Sequence, residues 1–265
     1  MTILEAIIIA IVEGLTEFLP ISSTAHMVIT SSLMHLEKDP FTKYFEICTQ
    51  FGAILSVLVL YFKKFINFKS PAFYLKLVIA VVPSLILGFL LNDFIDAKLE
   101  SPLFIAIIMI LGGILLLFID QWFGQKPIIV AEEQIDNKLA LKIGFFQCLA
   151  IIFPGLSRSA ATIIGGMSQK ISKEVAAEFS FFLAVPTMAA ASGYKTLSYI
   201  KDEGFFSSEQ LITLLVGNAV AFVVALLAIK FFINFVKERG FKIFGIYRII
   251  LGSVVLGLIY FKVIG

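Results

Sequence analysis

The run Glu13-Gly14-Leu15-Thr16-Glu17-Phe18-Leu19-Pro20-Ile21-Ser22-Ser23-Thr24-Ala25-His26 sets two carboxylates, three adjacent hydroxyls and an imidazole among Ile, Leu, Val and Phe. A second run, Phe153-Pro154-Gly155-Leu156-Ser157-Arg158-Ser159-Ala160-Ala161-Thr162, adds a guanidinium and further hydroxyls in equally apolar surroundings. Ionisable groups at membrane depth are costly and mark functional sites by default. Two acids, one base that titrates near neutrality, one permanent cation and many hydroxyls suit a phosphate ester or anhydride better than an ion path.

Glu13 and Glu17 are four apart and share a helical face. Side by side they repel, so a divalent cation, Arg158 or a proton must compensate them, unless both snorkel to the surface. A pair holding magnesium or calcium against substrate phosphates fits the preference of hard cations for oxygen. After Pro20, Ser22-Ser23-Thr24 should cap a second half-helix. A cap explains one hydroxyl, not three followed by His26, which lies on the face of Ser23 and is the side chain best matched to proton transfer near neutral pH. His26 is expected to be catalytic, although a structural histidine is the ordinary alternative. The second break should again open a helix whose free amides and positive dipole end attract an anion. Arg158 adds a planar fork suited to phosphate, with Ser157, Ser159 and Thr162 around it. The competing role for Arg158 is an ion pair with Glu13 or Glu17, which would also bring the two runs together. Gln50 is a further candidate for the site. Asp120 and Arg248 are read as snorkelling or mutually paired near the ends of their spans, and Asn218 as a helix–helix hydrogen bond.

The elements that must position these groups are membrane helices. Residues are 59% hydrophobic and 15% charged, against roughly 25% charged in soluble domains, and mean hydropathy is +0.99. Cys48 and Cys148 lie in apolar segments as small hydrophobes. There is no glycine fingerprint for nucleotides and no basic–aromatic patch for nucleic acid. The start of the chain lacks a basic signal-peptide region and is expected to be part of the folded structure.

A span needs about 20 apolar residues, and stretches near 45–62, 73–92, 102–120, 175–197, 209–232 and 243–262 qualify. Regions 3–35 and 139–169 are interrupted by Pro20 and by Pro154-Gly155. Each reads as two half-length helices, favoured as re-entrant pairs over one kinked span. Shifting the sequence by 134 lays Glu13 on Gln147, Pro20 on Pro154 and Phe45 on Phe179. The fold class is therefore an all-α polytopic membrane protein, a single integral membrane domain over 1–265. Six transmembrane helices and two broken re-entrant pairs would form an inverted-topology repeat with halves about 1–122 and 138–265. Thirteen basic residues fall in 63–76, 126–142, 170–173 and 230–242, and six in 38–43, 98, 195–201 and 262. That bias puts the first group in the cytoplasm and both termini outside. Trp122 reads as an interfacial anchor.

The two runs resemble the undecaprenyl-diphosphate phosphatase (bacitracin-resistance) family, through E-G-L-T-E-F-L-P-I-S-S-T-x-H at 13–26 and P-G-L-S-R-S-x-x-T at 154–162. Phe45-Glu46 with Gln50, and Glu178-Phe179-Ser180-Phe181 leading to Pro186, also look like the family. Ala25 and Ala160 stand where glycine is expected, which implies helical backbone there. The resemblance implies hydrolysis of a polyprenyl (undecaprenyl) diphosphate to the monophosphate lipid carrier of cell-wall synthesis. It also implies a divalent cation (Mg or Ca) and a site open to the outer face of a bacterial plasma membrane. On this reading Ser22, Thr24, Ser157, Arg158, Ser159 and Thr162 bind phosphate, Glu13 and Glu17 hold the metal, and Glu17, Ser23, His26 and Arg158 are catalytic. The nucleophile is Ser23 activated by His26, or water activated by His26 or Glu17. The expected partners are the lipid substrate and the bilayer, with no nucleic acid; a homodimer is left open. Because inverted repeats with broken helices are also transporter architecture, flipping of a lipid phosphate stands as the alternative function.

Overall fold

The computed structural model describes residues 1–67, 70–94, 101–124 and 126–264. Its helices are α1 (Ile3–Thr16), α2 (Ser23–Leu33), α3 (Pro40–Leu60), the single turn α4 (Phe62–Phe65), α5 (Pro71–Phe94), α6 (Pro102–Phe123), α7 (Asn137–Ile152), α8 (Arg158–Met167), α9 (Lys173–Glu203), α10 (Ser208–Arg239) and α11 (Lys242–Tyr260). Among the described residues six helices, α3, α5, α6, α9, α10 and α11, are long and apolar enough to cross a membrane. The chain is an all-α, multi-pass membrane protein. The long helices outrun their hydropathy at several ends because polar caps start them early. Asp39 accepts from Phe41 and Thr42 amides, Ser172 from Val175 and Ser207 from Gln210, each satisfying a donor the first turn cannot pair.

The two interrupted regions form the short pairs α1/α2 and α7/α8, of 14 and 11 and of 16 and 10 residues. Each is shorter than the roughly 20 residues of a full span, and within each pair the helices pack against one another. Across the chain α1 packs on α10 as α7 packs on α5, and α3 packs on α10 as α9 packs on α5. The pairs α3/α9 and α6/α11 close the arrangement. That exchange is what two halves related by a two-fold axis would give.

Small residues close several of these seams. A Cβ on Gly14 would stand 2.8 Å from the Ala221 carbonyl oxygen, and one on Gly144 would stand 2.2 Å from that of Ala80. Here α1 meets α10 and α7 meets α5 backbone to backbone, which is how membrane helices gain packing without a hydrophobic drive between them. The approach holds the two short pairs against long helices on either side of the site.

The helix ends sort into two groups. At one, Lys64 binds Glu132 and Glu133 at 2.9 and 2.7 Å, and Lys76 binds Glu132 at 3.0 Å. Ile129 bridges to Ile171, and Asp120 accepts from the Phe241 amide at 2.7 Å. The described residues 63–67 and 70–76 and segments 126–136, 170–173 and 240–242 thus meet, and these stretches carry the basic excess. At the other end Tyr44 reaches Thr196 at 3.0 Å and stacks near Tyr199 and Phe206. Lys69, Lys98 and most of the 92–100 loop lie outside the described residues. Trp122 is exposed at the end of α6, stacked on Phe118.

This grouping yields a topology test. With Cys48 and Cys148 replaced, a cysteine at the exposed position 130 should resist an impermeant thiol reagent in intact cells and react after permeabilisation. Reaction from outside would reverse the orientation.

One expectation needs correction. Asp120 and Arg248 do not pair: Asp120 caps the start of α11, and Arg248 is wholly buried among backbone carbonyls. It does not snorkel. Asn218 makes the expected helix–helix hydrogen bond, donating to the Cys48 sulfur of α3 at 3.7 Å, and also donates to the Leu214 carbonyl of its own helix at 2.8 Å.

Candidate active site

The two breaks meet. Ser22 begins α2 at φ 71° and Ser157 begins α8 at φ 75°, each accepting from an alanine amide three residues on, Ala25 or Ala160. A left-handed backbone at a non-glycine residue costs about 1–3 kcal/mol and persists where the surroundings over-determine it. Both alanines lie within the helices, so the strain falls on the serines. Aligning the caps requires a shift of 135, one more than for the prolines.

Both helix N-termini open on one cavity of about 610 Å³, within the size range of ligand pockets. Glu17, Ser22, Ser23, Thr24, Ser157, Arg158 and Gln50 line its polar part. The remaining wall is more apolar, with Leu85, Gly88 and Phe89 of α5, Ala150 and Ile151 of α7, and Met188 and Ala191 of α9. Tyr194 and Lys195 stand at the end of α9 away from the basic loops.

Glu17 is the hinge of the polar part. One carboxylate oxygen takes the Ser23 hydroxyl at 2.5 Å and the other takes Arg158 Nη2 at 2.8 Å. The carboxylate is almost wholly buried, a setting in which a charge persists only if paired and hydrogen-bonded. Arg158 Nη1 donates to the Ser180 carbonyl at 2.9 Å and to its hydroxyl at 3.3 Å, and the guanidinium lies 6.0 Å from the centre of the Phe18 ring. Its buried Nε–H has no protein partner, so one donor of the fork is unused.

Other expected groups turn away from the cavity. His26 Nδ1 lies 2.7 Å from the Ser22 carbonyl and Nε2 lies 2.7 Å from the Tyr247 hydroxyl, with the two rings parallel. A carbonyl can only accept, so Nδ1 carries a proton, and in the neutral ring Nε2 accepts from Tyr247. The expected Ser23–His26 pair is therefore absent; Ser23 pairs with Glu17. Ser159 bonds the Leu19 carbonyl at 2.9 Å and Ser157 at 3.1 Å, joining the breaks. Thr162 bonds the Arg158 carbonyl and Ser180. Neither Ser159 nor Thr162 lines the cavity, so the expectation that they touch phosphate does not match this geometry. Their hydroxyls buttress the loop that carries Arg158.

Glu13 is fully buried, and neither of its oxygens has a hydrogen-bond partner. Glu17, Glu46 and Arg158 are the charged groups that act on it. Gln147, which the 134-residue shift lays on Glu13, is satisfied instead, donating to Ser84 at 2.6 Å and to Thr187 at 3.2 Å. Among the described residues no three His, Cys, Asp or Glu side chains cluster as metal ligands.

A model of the family described as bacitracin resistance protein BacA matches residues 6–254. The chain belongs to this family. The undecaprenyl-diphosphatase of Flavobacterium johnsoniae is 53% identical over 261 residues, covering 98% of this chain and 97% of the relative. That of Porphyromonas gingivalis is 51% identical over 273 residues, with 97% and 96% covered. That of Clostridium tetani is 41% identical over 273 residues, with 99% and 98% covered.

Ser180, Tyr247 and Arg248 are the contributors that sequence reasoning did not place. The signal was a polar residue inside an apolar span, which for Arg248 was read as snorkelling. Tyr247 holds the orientation of the His26 ring through one hydrogen bond, worth about 1 kcal/mol. Tyr247→Phe should therefore slow turnover only about fivefold. A loss beyond about a hundredfold would place the phenol in the reaction itself.

Proposed function

We propose that this cavity hydrolyses a polyprenyl diphosphate, undecaprenyl diphosphate in the bacterial setting, releasing inorganic phosphate and leaving the monophosphate lipid carrier. The carrying observation is Glu17, whose two oxygens hold Ser23 of one break and Arg158 of the other. The relatives named undecaprenyl-diphosphatase, matched along nearly their whole length, support the substrate class. The mixed lining suits it too: cation and hydroxyls for the diphosphate, and the α5 and α7 wall for the isoprenoid, with Phe89 exposed toward lipid.

Ser23 Oγ attacks the terminal phosphorus while Glu17 takes its proton, and the bridging P–O bond breaks with the polyprenyl monophosphate leaving. Water then cleaves the phosphoserine, returning the proton to Ser23 and releasing phosphate. Arg158 turns its fork from Glu17 to the transferring phosphoryl, where neutralising charge is the main task. The N-termini of α2 and α8 add oriented amides and positive dipole ends.

Glu13 with Glu17 would hold a magnesium or calcium ion. The unpartnered buried carboxylate of Glu13 fits that use, and magnesium commonly takes one or two carboxylates with substrate phosphates completing its shell. Such an ion would supply charge neutralisation at the phosphates. The outer face of the plasma membrane is supported by the charge bias, because the cavity extends toward Tyr194 and Lys195, at the end opposite the basic loops.

Phosphate release from polyprenyl diphosphate by the detergent-purified protein tests the reading. Multiple turnovers are expected. A pure lipid transporter would release none, and that result would overturn it.

A further inference from the structure

Arg248 is the largest wholly buried side chain, with no exposure at all, and it makes no ion pair among the described residues. Its five N–H donors are all used on main-chain carbonyls. Nε reaches Met109 at 3.2 Å, Nη1 reaches Leu156 at 2.7 Å and Pro20 at 3.1 Å, and Nη2 reaches Gly155 at 2.8 Å and Ile108 at 3.5 Å. Three of these carbonyls belong to the breaks: Pro20 to the first, Gly155 and Leu156 to the second. Both breaks leave carbonyls that no helix can pair, and each would otherwise be costly to bury. One guanidinium therefore satisfies both breaks and ties them to α6.

The room for it is provided by glycine. A Cβ on Gly112 would stand 2.4 Å from Arg248 Nη2, and one on Gly113 would stand 2.8 Å from the Gly245 carbonyl oxygen. The α6/α11 seam is closed at these positions so that the side chain can pass through it to the breaks.

We propose that Arg248 is a positioning residue for the reaction: it fixes the distance between the two breaks, and so sets Ser23 and Glu17 of one against Arg158 of the other. Part of this rests on the phosphatase reading above. Lysine at 248 would keep the charge but has only three donors on one atom, and it cannot span carbonyls on both sides of a planar fork. The Ser159 bond to the Leu19 carbonyl and the Arg158–Glu17 ion pair would then be the links left between the breaks.

The test pairs turnover with a distance that needs no substrate. Spin labels at Leu15 and Phe153, exposed residues beside the two breaks, should give one narrow distance distribution in the parent protein. In Arg248→Lys that distribution broadens, kcat for phosphate release falls at least about tenfold, and KM moves less than about threefold. Gly112→Ala should do the same by crowding the guanidinium. It also improves the helix propensity of α6, so it remains decisive if Arg248→Lys does not fold. A distribution as narrow as the parent's overturns the proposal, whether or not kcat falls. So does broadening with kcat unchanged. An inactive parent would refute the phosphatase reading and leave the distance result standing.

Discussion

Arg158→Lys should lower phosphate release by about a hundredfold although the charge is retained, the scale of removing one preorganised donor from a charged transition state. The guanidinium reaches Glu17 with one nitrogen and Ser180 with the other, and its buried Nε–H is unpartnered. An ammonium offers donors from a single point and can serve one of these partners at a time. It would stay on Glu17, the nearest charge, and leave the transferring phosphoryl without its clamp. Steady-state turnover of purified protein checks this, alongside thermal midpoints to confirm folding. A lysine variant keeping more than about a tenth of wild-type turnover, a loss below roughly 1.4 kcal/mol, would mean that Arg158 serves only as the counter-ion of Glu17.

Ser23→Ala should lose on the order of a thousandfold or more, as expected when a covalent nucleophile is removed. The side chain lines the cavity with its hydroxyl on a buried carboxylate, which is nucleophile and base in one contact. Glu17→Gln should be similarly severe, because it removes the proton acceptor and leaves Arg158 without a counter-charge. If water attacks instead, Ser23→Ala loses only a hydrogen bond and slows by about tenfold. His26→Ala is expected to harm activity through Ser22, whose strained cap loses its Nδ1–H donor. It does not discriminate between the two routes.

Much of the fold was legible because few physical rules govern a chain this apolar. Hydropathy located the six spans, and Pro20 and Pro154 stopped two helices where a ring cannot continue the hydrogen-bond ladder. The charge bias separated the two groups of ends that Lys64–Glu132 and Tyr44–Thr196 later tie together. The meeting of Glu17 with Arg158 was legible for a related reason: opposite charges at membrane depth stabilise one another.

Side-chain direction was the part that spacing could not supply. Ser23 and His26 share a helical face by count, yet Tyr247, 221 residues beyond His26, turns the imidazole away from Ser23. Arg248 was misjudged because nearness to a span end was taken as access to water, when the carbonyls of two helix breaks were waiting at the same depth. Serine in the left-handed region at Ser22 and Ser157 carries no sequence signal either, since only the crossing of the breaks imposes it.

The most direct measurement is a single-turnover reaction with substrate labelled on its terminal phosphate, stopped in acid within milliseconds and followed by peptide mapping. Label on the peptide containing Ser23, appearing before free phosphate and absent from Ser23→Ala, is the expected result. No labelled protein at any time, together with substantial turnover by Ser23→Ala, would contradict attack by serine and leave Ser23 as a group that positions water.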